Sequence, residues 1–324
     1  MELLMTRRVP GRAGPEMGRR VHGRRVRGRQ VQGHQVQGRR VQGWRKLAGA
    51  TWGAPADPQF YGDLELDAGA LLSYAEEARD TAGVHLTMTH LIGRAVAHGL
   101  AEVPELRVRL ARGRVHERES VDVFFIVTAS GGKELTGIKV EGADRKSAVE
   151  ISREVTRRRT AIEAGDDAEL GQGKTLLARL PAPVLRGALH LGAWLTSDLN
   201  LDLSRIGMPR QPFGGAMITS VGMWGISHAY SPLAHYYRVP LLVLVGAVEK
   251  RPAVAGDEVV IRPMMTLTAT FDHRYVDGFQ AARFAEAVRG YCQSPARLEP
   301  PLAAGRPAAQ RARPGLTPGQ RTFG

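Results

Sequence analysis

His273 stands four residues before Asp277 in the run Asp272-His273-Arg274-Tyr275-Val276-Asp277-Gly278. An imidazole titrates near neutrality and a carboxylate can orient or ion-pair, so this pair suits general-base chemistry on a thiol or hydroxyl. On chemistry alone, a single histidine at a strand end is more often a hydrogen-bonded structural residue than a catalyst, and both readings stay open at this point. Other motifs fall away on inspection. Gly171-Gln172-Gly173-Lys174-Thr175 imitates a phosphate loop, but the full pattern needs glycine where Ala168 stands. His116-Glu117 lacks the second histidine of a zinc-protease helix, because position 120 is Ser120. No Gly-x-Ser-x-Gly elbow occurs. His90 and His98 have no third ligand spaced nearby, and they read as two partly exposed helix residues. A single cysteine, Cys292, excludes a disulfide framework and a cysteine zinc site.

The elements that must hold His273 are legible around it. Residues 259–270 read as a half-buried strand, and 280–292 as a helix with Ala282, Phe284, Ala285 and Val288 on one face. A strand-to-helix junction fixes a side chain while leaving it accessible. Upstream, Pro55, Pro58 and Gly62 mark a loop, and 64–66 alternates like a short strand. Asp67 is expected to cap a helix over 68–81 that ends at Gly83, and Thr87 a second helix over 88–103. Strands are expected at 121–128 and 135–140 around a Gly131-Gly132 turn, followed by a basic helix through Arg159. Residues 165–173 read as a loop. Residues 176–203 form an apolar, helix-capable stretch in which Leu185, Leu189, Ala193 and Trp194 recur at helical spacing, as for core packing. Residues 240–248 read as a buried strand.

The run Asp272 to Gly278 resembles the signature of the catalytic domain of dihydrolipoamide acyltransferases, the core subunits of 2-oxo acid dehydrogenase complexes. Its His-x-x-x-Asp-Gly part is shared with chloramphenicol acetyltransferase. The resemblance extends to Ala143-Asp144-Arg145-Lys146-Ser147 after two strands, to Gly214 through Gly225, and to the apolar run 240–248. It implies an α/β fold: a chloramphenicol acetyltransferase-like two-layer sandwich, with a mixed sheet and packed helices. It implies acyl transfer between coenzyme A and a dihydrolipoyl thiol, with His273 as base and Asp277 orienting the turn through an ion pair. Aligning Val221-Gly222 with the family's Leu-Gly places Thr219 on the family's oxyanion-binding serine, with Ser220 as the alternative one residue on. Arg45, beside Trp44 and Lys46, is similar to the arginine that pairs with the aspartate in chloramphenicol acetyltransferase. The resemblance further implies a homotrimer with sites shared between subunits, and partners among lipoyl-domain proteins and dehydrogenase complex subunits. Two other outcomes fit the family: a non-catalytic scaffold subunit, and an O-acetyltransferase. The 176–203 stretch is longer than the family's usual connection; core packing is the favoured reading, and the alternative is that it reshapes the mouth of the acyl channel.

Composition bounds the rest. The 324 residues are 43% hydrophobic and carry a formal net charge of +13. Residues 1–46 hold thirteen Arg or Lys against Glu2 and Glu16, a net of +11, which leaves +2 for the remaining chain. Residues 18–42 are five pentapeptide copies with one valine each, a period that builds neither helix nor strand face. The expected organisation is a disordered basic tail at 1–43, a catalytic domain at 44–298 and a disordered tail at 299–324. No aromatic interleaves the repeat, which disfavours nucleic acid as its partner. No apolar run is long enough for a bilayer, and a cytoplasmic setting is expected. The tail is too short and biased for a lipoyl domain, so the lipoyl group is expected in trans.

Overall fold

A long hairpin forms the spine of the computed structural model, which describes residues 58–112, 114–129, 134–164, 181–206, 208–233 and 238–302. Its strands, β7 (Leu241–Ala255) and β8 (Glu258–Asp272), pair antiparallel, and a register shift at Val245/Val248 interrupts the ladder. Four more strands complete one mixed sheet: β1 (Gln59–Asp67), β4 (Val123–Ala129), β5 (Glu134–Val140) and β6 (Ala216–Ser220). The order is β1-β8-β7-β6-β4-β5, with β6 parallel to both neighbours and every other pair antiparallel. A separate small hairpin joins β2 (Val108–Ala111) to β3 (Arg114–Glu117).

Helices cover one face of this sheet. They are α1 (Gly69–Ala82), α2 (Met88–Glu102), α3 (Ala148–Glu163) and α5 (Gly278–Gln293). Alternate strand residues reach them: Val123 and Phe125 on β4, Ala216 and Ile218 on β6, Val243 and Val245 on β7, Leu267 and Phe271 on β8 share one core with the helices. Close approach is built in at Gly93 of α2, where a Cβ would stand 2.3 Å from the Phe125 ring. The opposite face carries a smaller cluster of Phe124, Met217, Val239 and Leu242. The expected two-layer architecture, a mixed sheet with packed helices, is therefore the one observed.

Several expectations need correcting. Gly62 lies inside β1, not in a loop, because the strand runs nine residues along the edge of β8. The β2–β3 hairpin was not foreseen; its four-residue strands are too short for a period to show. The α1 N-cap is Ala68, and the Asp67 carboxylate accepts the Gly69 N–H at 2.8 Å. On α5, Ala281 packs against the core and Ala282 is exposed. His90 is buried, not partly exposed. The stretch 176–203 yields α4 (Ala182–Ala193), continued by a π turn at Trp194–Asp198. It is not core packing: Ala193 is buried, but Leu185 and Leu189 are half-buried and Trp194 is 45% exposed. The tails at 1–43 and beyond 302, the 165–173 loop and the Gly131-Gly132 turn lie outside the described residues. Among the described residues, no helix is long and apolar enough to cross a membrane, and no group of His, Cys, Asp or Glu could hold a metal ion.

Glu299, expected in a tail, is 7% exposed. It follows the single turn α6 (Pro295–Leu298) and joins three elements of the helix layer. Its carboxylate accepts the Ala148 N–H at the start of α3 (2.6 Å) and the Tyr291 hydroxyl of α5 (3.1 Å), and pairs with Arg94 of α2 at 3.0 Å. Removing it strands a buried guanidinium and an orphan helix N–H. We expect Glu299→Ala to cost about 3–5 kcal/mol in urea unfolding, and Glu299→Gln clearly less. A loss below ~1 kcal/mol for the alanine variant would show that the contact is incidental.

The start of α2 is pH-sensitive by construction. The His90 N–H donates to Thr87 Oγ1, and the Thr87 N–H donates to His90 Nδ1 at 3.3 Å, so the ring must be neutral to accept. Burial pushes this imidazole down to about 4 from 6.5. The unfolded chain then binds the extra proton first as pH falls. The stabilisation is complete above pH 6.5 and is lost progressively towards pH 4, by on the order of 3 kcal/mol. Urea titrations across that window should show a shallower pH dependence for His90→Gln than for wild type. Equal slopes would refute the assignment.

Candidate active site

Backbone geometry fixes the His273 turn before any side chain acts. β8 ends at Asp272, whose N–H donates to the Pro240 carbonyl at 2.9 Å; the His273 N–H donates to Pro58 at 2.6 Å. The Tyr275 and Val276 N–H groups then close back on the Asp272 carbonyl. Phe271 and Val276, 4% and 1% exposed, anchor the turn on either side.

The buried Asp272 carboxylate serves as a clamp. It accepts the Arg274 backbone N–H at 3.0 Å and the Arg274 Nε at 2.9 Å, and it also takes Arg274 Nη2. That pairing holds the guanidinium above its ordinary pKa. Sequence reading used Asp272 and Arg274 only as flanking marks and missed this role. An Asp two residues before an Arg within a turn was the available signal.

His273 itself is exposed. Its ring leans on Phe60 of β1, 4.9 Å between centroids and tilted by 57°. Among the described residues no hydrogen bond engages either ring nitrogen. Asp277 stands at the helix end of the turn. It is the N-cap of α5: its carboxylate accepts the Phe279 N–H at 2.9 Å, and Gln280 returns a bond to the Asp277 N–H. Among the described residues no cation pairs with Asp277, and Arg45 lies outside them. The carboxylate thus orients the turn through the helix end, where a negative charge is favoured.

Thr219 and Ser220 fall on opposite faces of the sheet. Ser220 points to the helix side, where its hydroxyl donates to the Val245 carbonyl and accepts the Gly222 N–H, both at 3.3 Å. Thr219 shares the other face with Met217, and among the described residues no partner takes its hydroxyl. Register gives its distance from the histidine. Thr219 pairs with Leu244, Leu244 pairs with Thr268, and His273 lies five residues further along β8. Two strand spacings across and five residues along put the two Cα atoms roughly 19 Å apart. One chain does not bring His273 and Thr219 together.

Comparison with known proteins agrees with this architecture. The family described as 2-oxoacid dehydrogenases acyltransferase (catalytic domain) matches residues 43–170 and 212–299. A lipoamide acyltransferase component of branched-chain alpha-keto acid dehydrogenase complex from Pseudomonas aeruginosa is 34% identical over 151 residues, covering 45% of this chain and 33% of that protein. A dihydrolipoyllysine-residue acetyltransferase component of pyruvate dehydrogenase complex from Rickettsia felis is 25% identical over 245 residues, covering 74% of this chain and 49% of that protein. The chain thus spans half or less of the length of these relatives. The crystal structure of a probable dihydrolipoamide acetyltransferase from Listeria monocytogenes shares the fold, with a TM-score of 0.56 at 20% identity over 83% of this chain and 97% of that one. With two matched segments that together cover most of its length, the chain belongs to the family of 2-oxoacid dehydrogenase acyltransferase catalytic domains.

Proposed function

We propose that this chain transfers an acyl group between coenzyme A and a dihydrolipoyl thiol. The observation that carries the reading is an exposed imidazole with no hydrogen-bond partner among the described residues, on a turn whose backbone is fixed by Pro58, Pro240 and the α5 cap. A ring held in place with its nitrogens unengaged is ready to take a proton from a substrate. His273 removes the thiol proton, and the thiolate attacks the thioester carbonyl carbon. A hydroxyl donor stabilises the tetrahedral oxyanion. Collapse expels the second thiolate, which recovers the proton from His273. Exchange of one thioester for another balances without a metal or an energy-rich nucleotide.

Thr219 is the donor in this reading, worth roughly 3–4 kcal/mol in comparable sites. Its separation from His273 within one chain supports a site shared between subunits, with Thr219 contributed by a neighbour in a homotrimer. The lipoyl group arrives on a separate lipoyl-domain protein of a dehydrogenase complex. Family membership supports both substrates, which are thiols and thioesters and not resident cofactors.

The test combines two variants. His273→Ala should lower kcat at least ~100-fold while coenzyme A still binds. Mixing His273→Ala with Thr219→Ala protein and allowing subunits to exchange should recover part of the activity, since some interfaces then pair an intact His273 with an intact Thr219. An alanine variant at 273 with near-normal turnover would sink the base assignment. Light scattering from a fully active monomer would end the shared-site arrangement.

A further inference from the structure

The family match breaks between residues 170 and 212, and the described part of that interval builds a wall. Here α4 and its π turn stand over the sheet face opposite the helix layer. They enclose a cavity of about 570 Å³, lined by Phe124 and Phe213 below and by Leu189, Gly192, Leu195 and Met208 above and beside. The floor is made by one substitution in size. Gly137 of β5 leaves room for the Phe124 ring, which would stand 1.9 Å from a Cβ at that position. Phe213 meets the same ring edge-on at 5.2 Å.

The wall is bolted to the body. Arg109 donates to the Ser197 carbonyl at 2.7 Å, Arg238 pairs with Asp198 at 3.0 Å, and buried Arg118 reaches Gln211, the Val108 carbonyl and the Arg238 carbonyl. Two cations and one carboxylate stand among the lining residues. Lys139 is neutralised by Glu141 at 2.8 Å, and Arg158 donates to the Lys139 carbonyl at 2.9 Å. The rest of the lining offers an occupant mostly apolar surface.

Its position names the occupant. Phe124 pairs with Met217 on β6, and Thr219 lies two residues further on the same face. One strand spacing across and two residues along set the cavity floor roughly 8 Å from Thr219. We propose that the 181–211 insertion forms an acyl chamber that admits a medium-length hydrocarbon acyl group and disfavours acetyl. This rests on the acyl-transfer reading above, with Thr219 beside the thioester carbonyl. An alkyl chain leaving that carbonyl along the sheet face enters the cavity. An acetyl group leaves it empty.

The test uses the full chain with acetyl-, butyryl-, hexanoyl-, octanoyl- and succinyl-coenzyme A against free dihydrolipoamide, alongside equilibrium binding of the same thioesters by calorimetry. Burial predicts a gain of about fourfold in kcat/KM per methylene until the chamber is full. Gly192→Phe fills the cavity: a Cβ there meets only the mobile Met208 Cε, at 3.1 Å. It should cut the octanoyl-to-acetyl ratio at least tenfold in rate and in binding. Met208→Trp fills the same space from the other wall and replaces Gly192→Phe should that variant fail to fold by circular dichroism. Transfer that favours acetyl, or ratios unchanged in a folded filling variant, overturns the chamber and leaves acyl transfer intact. Octanoyl-coenzyme A binding that a filling variant abolishes, with no transfer from any thioester, supports the chamber and overturns the acyl-transfer reading instead.

Discussion

A sheet packed by helices on one face imposes opposite surroundings on successive residues of every strand. On β6, Ala216 and Ile218 are buried against the helix layer, while Met217 and Thr219 face away from it. The parallel pairing of β6 to both β4 and β7 pins that parity, because a one-residue slip would turn Ile218 out of the core. Thr219 and Ser220, chemically near-equivalent hydroxyls, thereby acquire different possibilities. Ser220 is engaged with the backbone of its own chain, and Thr219 is presented where a substrate or a second subunit can come. The same parity turns Phe124 and Gly137 towards the insertion and Phe125 and Ile138 towards the helices.

Legibility in the sequence followed the range of the forces involved. The His273 turn was readable because its determinants sit within seven residues: a strand end, an Asp-Gly and a helix start. Thr87 before α2 and Gly83 after α1 were readable for the same reason, since caps are local chemistry. What escaped depends on distant partners. Glu299 looks like the first residue of a polar tail until Arg94, Tyr291 and the Ala148 N–H surround it. The Asp277 cap of α5 was missed, although its Asp-Gly lay in plain view. Helical spacing in α4 was real, but periodicity says only that an apolar face exists, not that the core receives it.

The insertion also shows how a chain can add structure without disturbing a core. Its polar links with the body run largely through guanidinium groups on carbonyl oxygens and one carboxylate. Burial lowers the pKa of Arg118 to about 10 and leaves it charged near neutrality. A planar, multi-donor cation can satisfy acceptors on several segments at once, which no aliphatic residue can do. Residues 200 and 211 adopt left-handed backbone conformations at Asn200 and Gln211, and their side chains bond to each other where the insertion rejoins the fold.

The pairing of β1 with β8 has a kinetic consequence. Gln59 lies opposite Asp272, so the first described strand finds its partner only after some two hundred residues of intervening chain. The β7–β8 hairpin, by contrast, closes over a two-residue connection between Ala255 and Glu258. Loop-closure entropy therefore favours assembly from the C-terminal half, with the hairpin as template and β1 docking late onto its edge. During synthesis β1 emerges early and must wait, its backbone donors and acceptors unpaired, until the template exists. Its alternation of Asp63 and Glu65 with Leu64 and Leu66 then acquires a second meaning: acidic side chains on a waiting strand discourage it from pairing with another nascent copy of itself.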